Sequence, residues 1–236
     1  MSRTAVIAGV GPGLGESLAR KFATEGCDLG LLARSGDYLT ELATDLAGDE
    51  IDAVAAPTDI SDAEQVEQGF AFIREKLGPV DILVNHASGG AWQGIADISI
   101  DAFEDAMLVG PYGGFLCSRE AVRDMREAGD GTIIFTGATS AIRGRGGAVG
   151  FSAAKFAVRG LAESMARELG PQGIHVAHVV IDGQILTPDH VEADPDRAEE
   201  SYLDPDEIAE TYWHLVEQDR SAWTLELDLR PHVEEF

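Results

Sequence analysis

Short apolar runs and helix-period segments alternate along the whole chain. Residues 4–9 form an apolar run closed by glycine, the pattern of a buried strand. Residues 13–26 place Leu14, Leu18, Ala19 and Phe22 on one helical face. Further strands are predicted over 28–33, 51–57, 80–85, 132–136, 174–181 and 223–229. Further helices are predicted over 100–109, 112–128 and 149–169. Ser35 is placed as the cap of a helix running to 47. Ser61-Asp62-Ala63-Glu64 reads as a capping box opening a helix to 77. Asp204-Pro205-Asp206-Glu207 combines such a box with proline at the first helical position of a helix to 218. The run 80–85 is continuously apolar, as a parallel strand buried on both faces should be. Repeated strand–helix units predict an α/β fold in one domain spanning 1–236: a doubly wound parallel sheet of about seven strands with helices on both faces. Residues 182–203 break the pattern. They are acidic, hold Pro188 and Pro195, and follow a strand's C-terminal end, where ligands sit in such sheets. They read as a mobile substrate or lid segment.

Charge changes the picture more than composition does. Acidic residues number 42 against 17 basic ones, for a formal net charge of −25, and only Lys21, Lys76 and Lys155 accompany 14 arginines. Dense surface carboxylate with scarce lysine fits a halophilic protein of a salt-rich cytoplasm; an ordinary acidic cytoplasmic protein is the alternative. DNA, RNA and anionic membranes are not expected as partners, because phosphate binding needs basic clusters. Cys27 and Cys117 are no disulfide framework and read as small buried apolar residues. No apolar run approaches the ~20 residues that span a bilayer. No signal peptide is visible at the N-terminus, so a cytoplasmic location is expected. No metal site is assigned.

The segment Ala8-Gly9-Val10-Gly11-Pro12-Gly13-Leu14-Gly15 joins the first strand to the first helix. In that context glycines let the backbone approach a pyrophosphate, while the helix N-terminus supplies donors and a favourable dipole. The spacing of Gly9, Gly13 and Gly15 resembles the Thr-Gly-x-x-x-Gly-x-Gly loop of the short-chain dehydrogenase/reductase family, with Ala8 for threonine. The resemblance covers nearly the whole chain and implies a Rossmann-type fold. It assigns Gly9, Gly13, Leu14 and Gly15 to the cofactor loop. Asp59-Ile60 resembles the family's pair that holds the adenine. Asn85-His86-Ala87-Ser88 stands where the family has Asn-Asn-Ala-Gly, which places Asn85 and Ala87 beside the cofactor. His86 reads as a satisfied loop histidine, with a proton carrier as the alternative. Gly183 and Thr187 keep the spacing of the family's Pro-Gly-x-x-x-Thr segment, with Asp182 in the place of proline. At the end of the second strand Ala33 occupies the usual acidic position and Arg34 follows it. That arrangement favours NADP(H), with NAD(H) as the alternative.

The same resemblance locates a depleted active site. Phe151-Ser152-Ala153-Ala154-Lys155 resembles the family's Tyr-x-x-x-Lys signature with phenylalanine for the proton-transferring tyrosine. Ala138 stands at the serine, thirteen residues earlier, and Gly110 stands at the asparagine. Thr139 and Ser140 are candidate substitutes for the lost hydroxyl. Lys155 is retained, and in the family it also holds the nicotinamide ribose. A positioned general acid contributes roughly 10²–10⁴-fold, so ordinary carbonyl reduction should be feeble. The expected function is an atypical NADP(H)-dependent oxidoreductase acting on a small-molecule carbonyl, alcohol or enone. The alternative is a non-catalytic dinucleotide-binding sensor or a subunit of a mixed oligomer. The family's habit of pairing the helices at 112–128 and 149–169 implies a homo-oligomer, a tetramer or a dimer.

Overall fold

The structure is a computed structural model, described here over residues 2–234 apart from the side chains of residues 188 and 189. Seven parallel strands form one sheet: β1 (Thr4–Ala8), β2 (Asp28–Ala33), β3 (Ala53–Pro57), β4 (Ile82–Asn85), β5 (Gly131–Thr136), β6 (Ile174–Ile181) and, last in the chain, β9 (Glu226–Leu229). Their order is β3-β2-β1-β4-β5-β6-β9. The order reverses between β1 and its neighbours β2 and β4, which opens the crevice at the C-terminal ends of these strands.

Alternation along each strand feeds two cores. Ala5 and Ile7 of β1 join one cluster, and Val6 and Ala8 join the other. The first cluster packs under α1 (Leu14–Thr24), α2 (Gly36–Leu46) and α8 (Pro205–Val216) through Leu18, Phe22, Leu39, Tyr212 and Trp213. The second packs under α3 (Ala63–Leu77), α5 (Gly113–Ala128) and α6 (Val149–Leu169) through Phe70, Ile73, Cys117, Met125 and Val158. Cys27 and Cys117 are both buried free thiols, each pushed up by burial, Cys27 to about 11 and Cys117 to about 12. The expected doubly wound fold is thus the one observed.

Three local expectations need correction. The start of α3 is capped by Asp62, not Ser61: its carboxylate accepts from the backbone N–H groups of Glu64 and Gln65. Ser61 instead donates to Asp59 from both its backbone and its hydroxyl. Ser35 stands at the cap of α2 but its side chain makes no capping bond. Gly110-Pro111 does not separate two helices. α4 (Ile100–Met107) passes into α5 through a π turn at Leu108–Tyr112. Proline has no N–H and crowds the carbonyl four residues back, so the helix opens by one residue there and continues.

The segment 182–203 is not irregular throughout. It contains a two-stranded parallel sheet, β7 (Gln184–Ile185) with β8 (Tyr202–Leu203), and the short helix α7 (Pro188–Ala193). No helix is long and apolar enough to cross a membrane among the described residues.

Candidate active site

A cleft of about 1320 Å3 runs across the C-terminal ends of the strands. At one end it is lined by Ala33, Arg34, Asp59 and Ile60, and at the other by Trp92, Arg143, Arg145 and Phe151. Its volume exceeds the roughly 300–1,000 Å3 of an ordinary single-ligand pocket.

The glycine loop forms the wall between β1 and α1. Gly9 has φ +105°, and a Cβ there would lie 2.4 Å from the Ala87 backbone nitrogen. Gly15 allows no side chain either, since its Cβ would meet the Gly9 carbonyl oxygen at 2.8 Å. Gly13 has φ +96° and faces Thr187, whose Cγ2 would be 2.7 Å from an added Cβ. No side chain caps α1; the Glu16 N–H bonds to the Gly11 carbonyl, which leaves the Leu14 and Gly15 N–H groups for a ligand. Side chains at these positions would collide with neighbouring chain, so the loop stays thin where Gly9 and Val10 line the cleft, which fits the close approach of a dinucleotide pyrophosphate. Leu14 is buried in the core rather than in the cleft.

The end of the cleft at Arg34 and Asp59 is polar. Asp59 is held below the usual carboxylate range by the two Ser61 bonds first, and by Arg34 less strongly. Arg34 is exposed and has no carboxylate within ion-pair distance among the described residues. Ile60 packs against Gly113, where a Cβ would come within 2.8 Å of it.

Lys155 is buried on α6 and donates to the Thr136 carbonyl at 2.9 Å. Burial pulls its ammonium down to about 8. The Thr136 hydroxyl links two further groups, His86 Nδ1 at 3.3 Å and the buried Tyr212 hydroxyl at 2.8 Å. Burial, and then Lys155, lower His86 to about 4, so its ring is neutral at neutral pH. His86 therefore belongs to a hydrogen-bonded chain reaching the cleft floor, with Tyr212 as a member that sequence position did not single out. Asn85 lies behind this floor. Its amide donates to Ser118 at 3.0 Å, and its carbonyl oxygen has no partner among the described residues. It borders a void of about 10 Å3 together with Gly110 and Gly114. A Cβ at Gly110 would make only ordinary contacts with Ala154 and Val158.

Around Phe151 the chemistry is sparse. Its ring stacks on Trp92 with centroids 4.3 Å apart and lies 5.6 Å from the Lys155 ammonium. Ala138, Thr139 and Ser140 all line the cleft. The Thr139 hydroxyl donates to Asp182 at 2.5 Å. Asp182 is nearly fully buried and also faces Arg143 at 3.3 Å and Arg230 at 3.4 Å. This carboxylate was legible only as a replacement for proline, and it is a central feature of the site. Gly183, with φ +159°, follows it in the cleft wall. Thr187 caps α7 by accepting from the His190 N–H. Tyr202 donates toward backbone carbonyls of residues 190 and 194, and Tyr112 stacks on Phe115 away from the cleft.

The sequence profile of short chain dehydrogenases matches residues 3–197. An uncharacterized oxidoreductase of Staphylococcus aureus is 27% identical over 229 residues, covering 97% of each chain. Among solved structures, an alcohol dehydrogenase from the archaeon Thermococcus sibiricus complexed with 5-hydroxy-NADP superposes with a TM-score of 0.87 at 26% identity, covering 100% of this chain and 99% of that one. A 3-ketoacyl-(acyl-carrier-protein) reductase from Brucella melitensis complexed with NADH gives 0.86 at 26% identity, with 98% and 97% covered.

Proposed function

The chain belongs to the short-chain dehydrogenase family, and on that premise we propose that it is an NADP(H)-binding oxidoreductase whose usual proton-transfer group has been vacated. The observation that carries this reading is one continuous cleft. It leads from Arg34, past Gly9 and Val10 of the glycine loop, to a buried lysine beside a phenylalanine. Gly9, Gly13 and Gly15 with the N-terminus of α1 would hold the pyrophosphate, and Asp59-Ile60 the adenine. Asn85, Ala87, Gly183 and Thr187 would border the rest. Arg34, with no acid at Ala33, favours the 2′-phosphorylated cofactor. The bound dinucleotide supplies hydride donor or acceptor chemistry. Lys155 orients its ribose and holds a positive charge beside it, and burial makes that ammonium unusually ready to release its proton.

Gly110, Ala138 and Phe151 carry none of the family's amide and hydroxyl groups. Thr139 and Ser140 are hydroxyl residues that line this end of the cleft. A second reading, a dinucleotide-binding protein without turnover, is favoured by one observation: the Thr139 hydroxyl is committed to Asp182. We further propose a single domain over 1–236, with 182–203 bordering the substrate.

The test is NADPH oxidation against a panel of ketones and enones at molar salt. Little turnover of simple ketones is expected from the wild type. Phe151→Tyr alone should restore little, and Phe151→Tyr with Ala138→Ser more, because groups acting as a unit are strongly non-additive. Brisk wild-type turnover of a simple ketone, unaffected by Thr139→Ala and Ser140→Ala, would overturn the vacated-site reading.

A further inference from the structure

Carboxylates are abundant in this chain, so few arginines are without one. Among the described residues, four of the 14 arginines have no carboxylate within 4.0 Å: Arg34, Arg119, Arg145 and Arg197. Three of these, all but Arg119, line the cleft. Two of the three have work at the cofactor end. Arg34 stands beside Asp59-Ile60. Arg197 is fixed by Gln184 and Ser201, in the segment whose Thr187 abuts Gly13. Arg145 is left over, at the opposite end.

Arg145 is tied to an aromatic wall. Its guanidinium lies 6.0 Å from the Trp92 ring centroid, and Trp92 stacks on Phe151 at an interplanar angle of 27°. Both partners are anchored. The Arg145 backbone N–H bonds to the Ser152 hydroxyl at 3.1 Å. The backbone on either side of Trp92 is bonded to α6 through Val149 to Gln93 and Phe151 to Ala91. Trp92 is nonetheless 55% exposed, which leaves one large apolar face open to the cleft. Of the carboxylates that line the cleft, Asp59 is at the far end and Asp182 is met by Arg143 and Arg230. Asp105 and Glu234 remain to oppose an incoming anion, which is why a specific cation is needed.

We propose that the substrate end takes a flat apolar molecule bearing a carboxylate, its face against Trp92–Phe151 and its charge on Arg145. The proposal rests on the oxidoreductase reading only for calling that molecule the substrate. An exposed aromatic face rewards a planar ligand, and a guanidinium matches a carboxylate in a bidentate fork.

The test is calorimetric titration of protein saturated with NADP⁺, using 2-naphthoate and its neutral counterpart 2-naphthalenemethanol. Naphthoate should bind at least about tenfold more tightly, a difference of about 1.4 kcal/mol. Arg145→Gln should erase the difference while leaving NADP⁺ affinity unchanged. Trp92→Leu should weaken both probes. Molar salt should narrow the preference. Equal affinity for the two probes, no binding of either, or a preference that survives Arg145→Gln overturns the proposal. The preceding NADP⁺ titration in the same cell stands apart: its failure would remove the oxidoreductase reading whatever naphthoate does.

Discussion

Replacing Arg34 isolates the charge that should choose between cofactors. The side chain is exposed, has no carboxylate within ion-pair distance among the described residues, and yet lies close enough to Asp59 to help hold that carboxyl ionised. A 2′-phosphate between them and the solvent would receive a charge-assisted hydrogen bond, worth about 1.5–3 kcal/mol where it is sheltered. Exposure lowers this to about 0.5–1 kcal/mol. That corresponds to roughly 2–5-fold in Kd. Arg34→Ala should therefore weaken NADPH by that factor and leave NADH unchanged. Ala33→Asp should act on both: its carboxylate repels a 2′-phosphate and accepts from a ribose 2′-hydroxyl. The whole preference should narrow with salt, since the screening length falls from about 10 Å at 0.1 M to about 3 Å at 1 M. Fluorescence titration of both cofactors into wild type and the two variants measures it. An equal loss of NADPH and NADH affinity in Arg34→Ala would mean that the side chain supports the fold of the cleft rather than reading a phosphate. Equal wild-type affinities would remove the assignment.

Three further outcomes are expected. Burial lowers Lys155 from 10.5 to about 8, so between these pH values the unfolded chain holds the proton more strongly and stability rises with pH. Lys155→Met should stabilise the cofactor-free protein at pH 7 by on the order of 3 kcal/mol, with the gain fading toward pH 10.5; urea melts across that range check it, and a constant gain would refute the cause. Asp182→Ala should cost about 1.5–3 kcal/mol by removing the carboxylate that Thr139, Arg143 and Arg230 share, with Arg230 keeping Asp228, whereas Thr139→Ala should cost about 1; thermal and urea melts compare them. Light scattering across a salt series should find a homo-oligomer favoured by high salt, because Phe115 and Phe156 expose apolar surface on α5 and α6 of a chain carrying −25; a monomer at both low and molar salt refutes it.

The sheet was legible because parallel strands buried on both faces leave unbroken apolar runs. Residues 28–33, 149–169 and 174–181 carry the same limits in sequence and structure. Ends were less so. Ser61 and Asp62 are both good caps, and their competition is decided by Asp59, which engages Ser61 and leaves Asp62 to the helix. The two-residue strands β7 and β8 are too short to show a period. The glycine loop and the positions of Phe151 and Lys155 were legible through the motifs they share with the short-chain dehydrogenase family, and both ends of that pattern line the cleft. The Asp182 cluster could not, because it joins residues 139, 143, 182 and 230, which only the fold brings together. The stacking of Trp92 on Phe151 is of the same kind: nothing in their spacing predicts it.

The π turn at Leu108–Tyr112 has a consequence for how this chain tolerates change in length. Within an α-helix, losing one residue swings everything downstream by about 100° and turns a buried stripe toward water. A π turn already carries one residue more than its hydrogen-bonded ring needs. Deleting Pro111 would let the ring close as an ordinary turn, with α4 and α5 keeping their faces toward the sheet and toward α6. The turn around Gly110 and Pro111 is thus a place between α4 and α5 where the chain can lose a residue while the helix stays in phase.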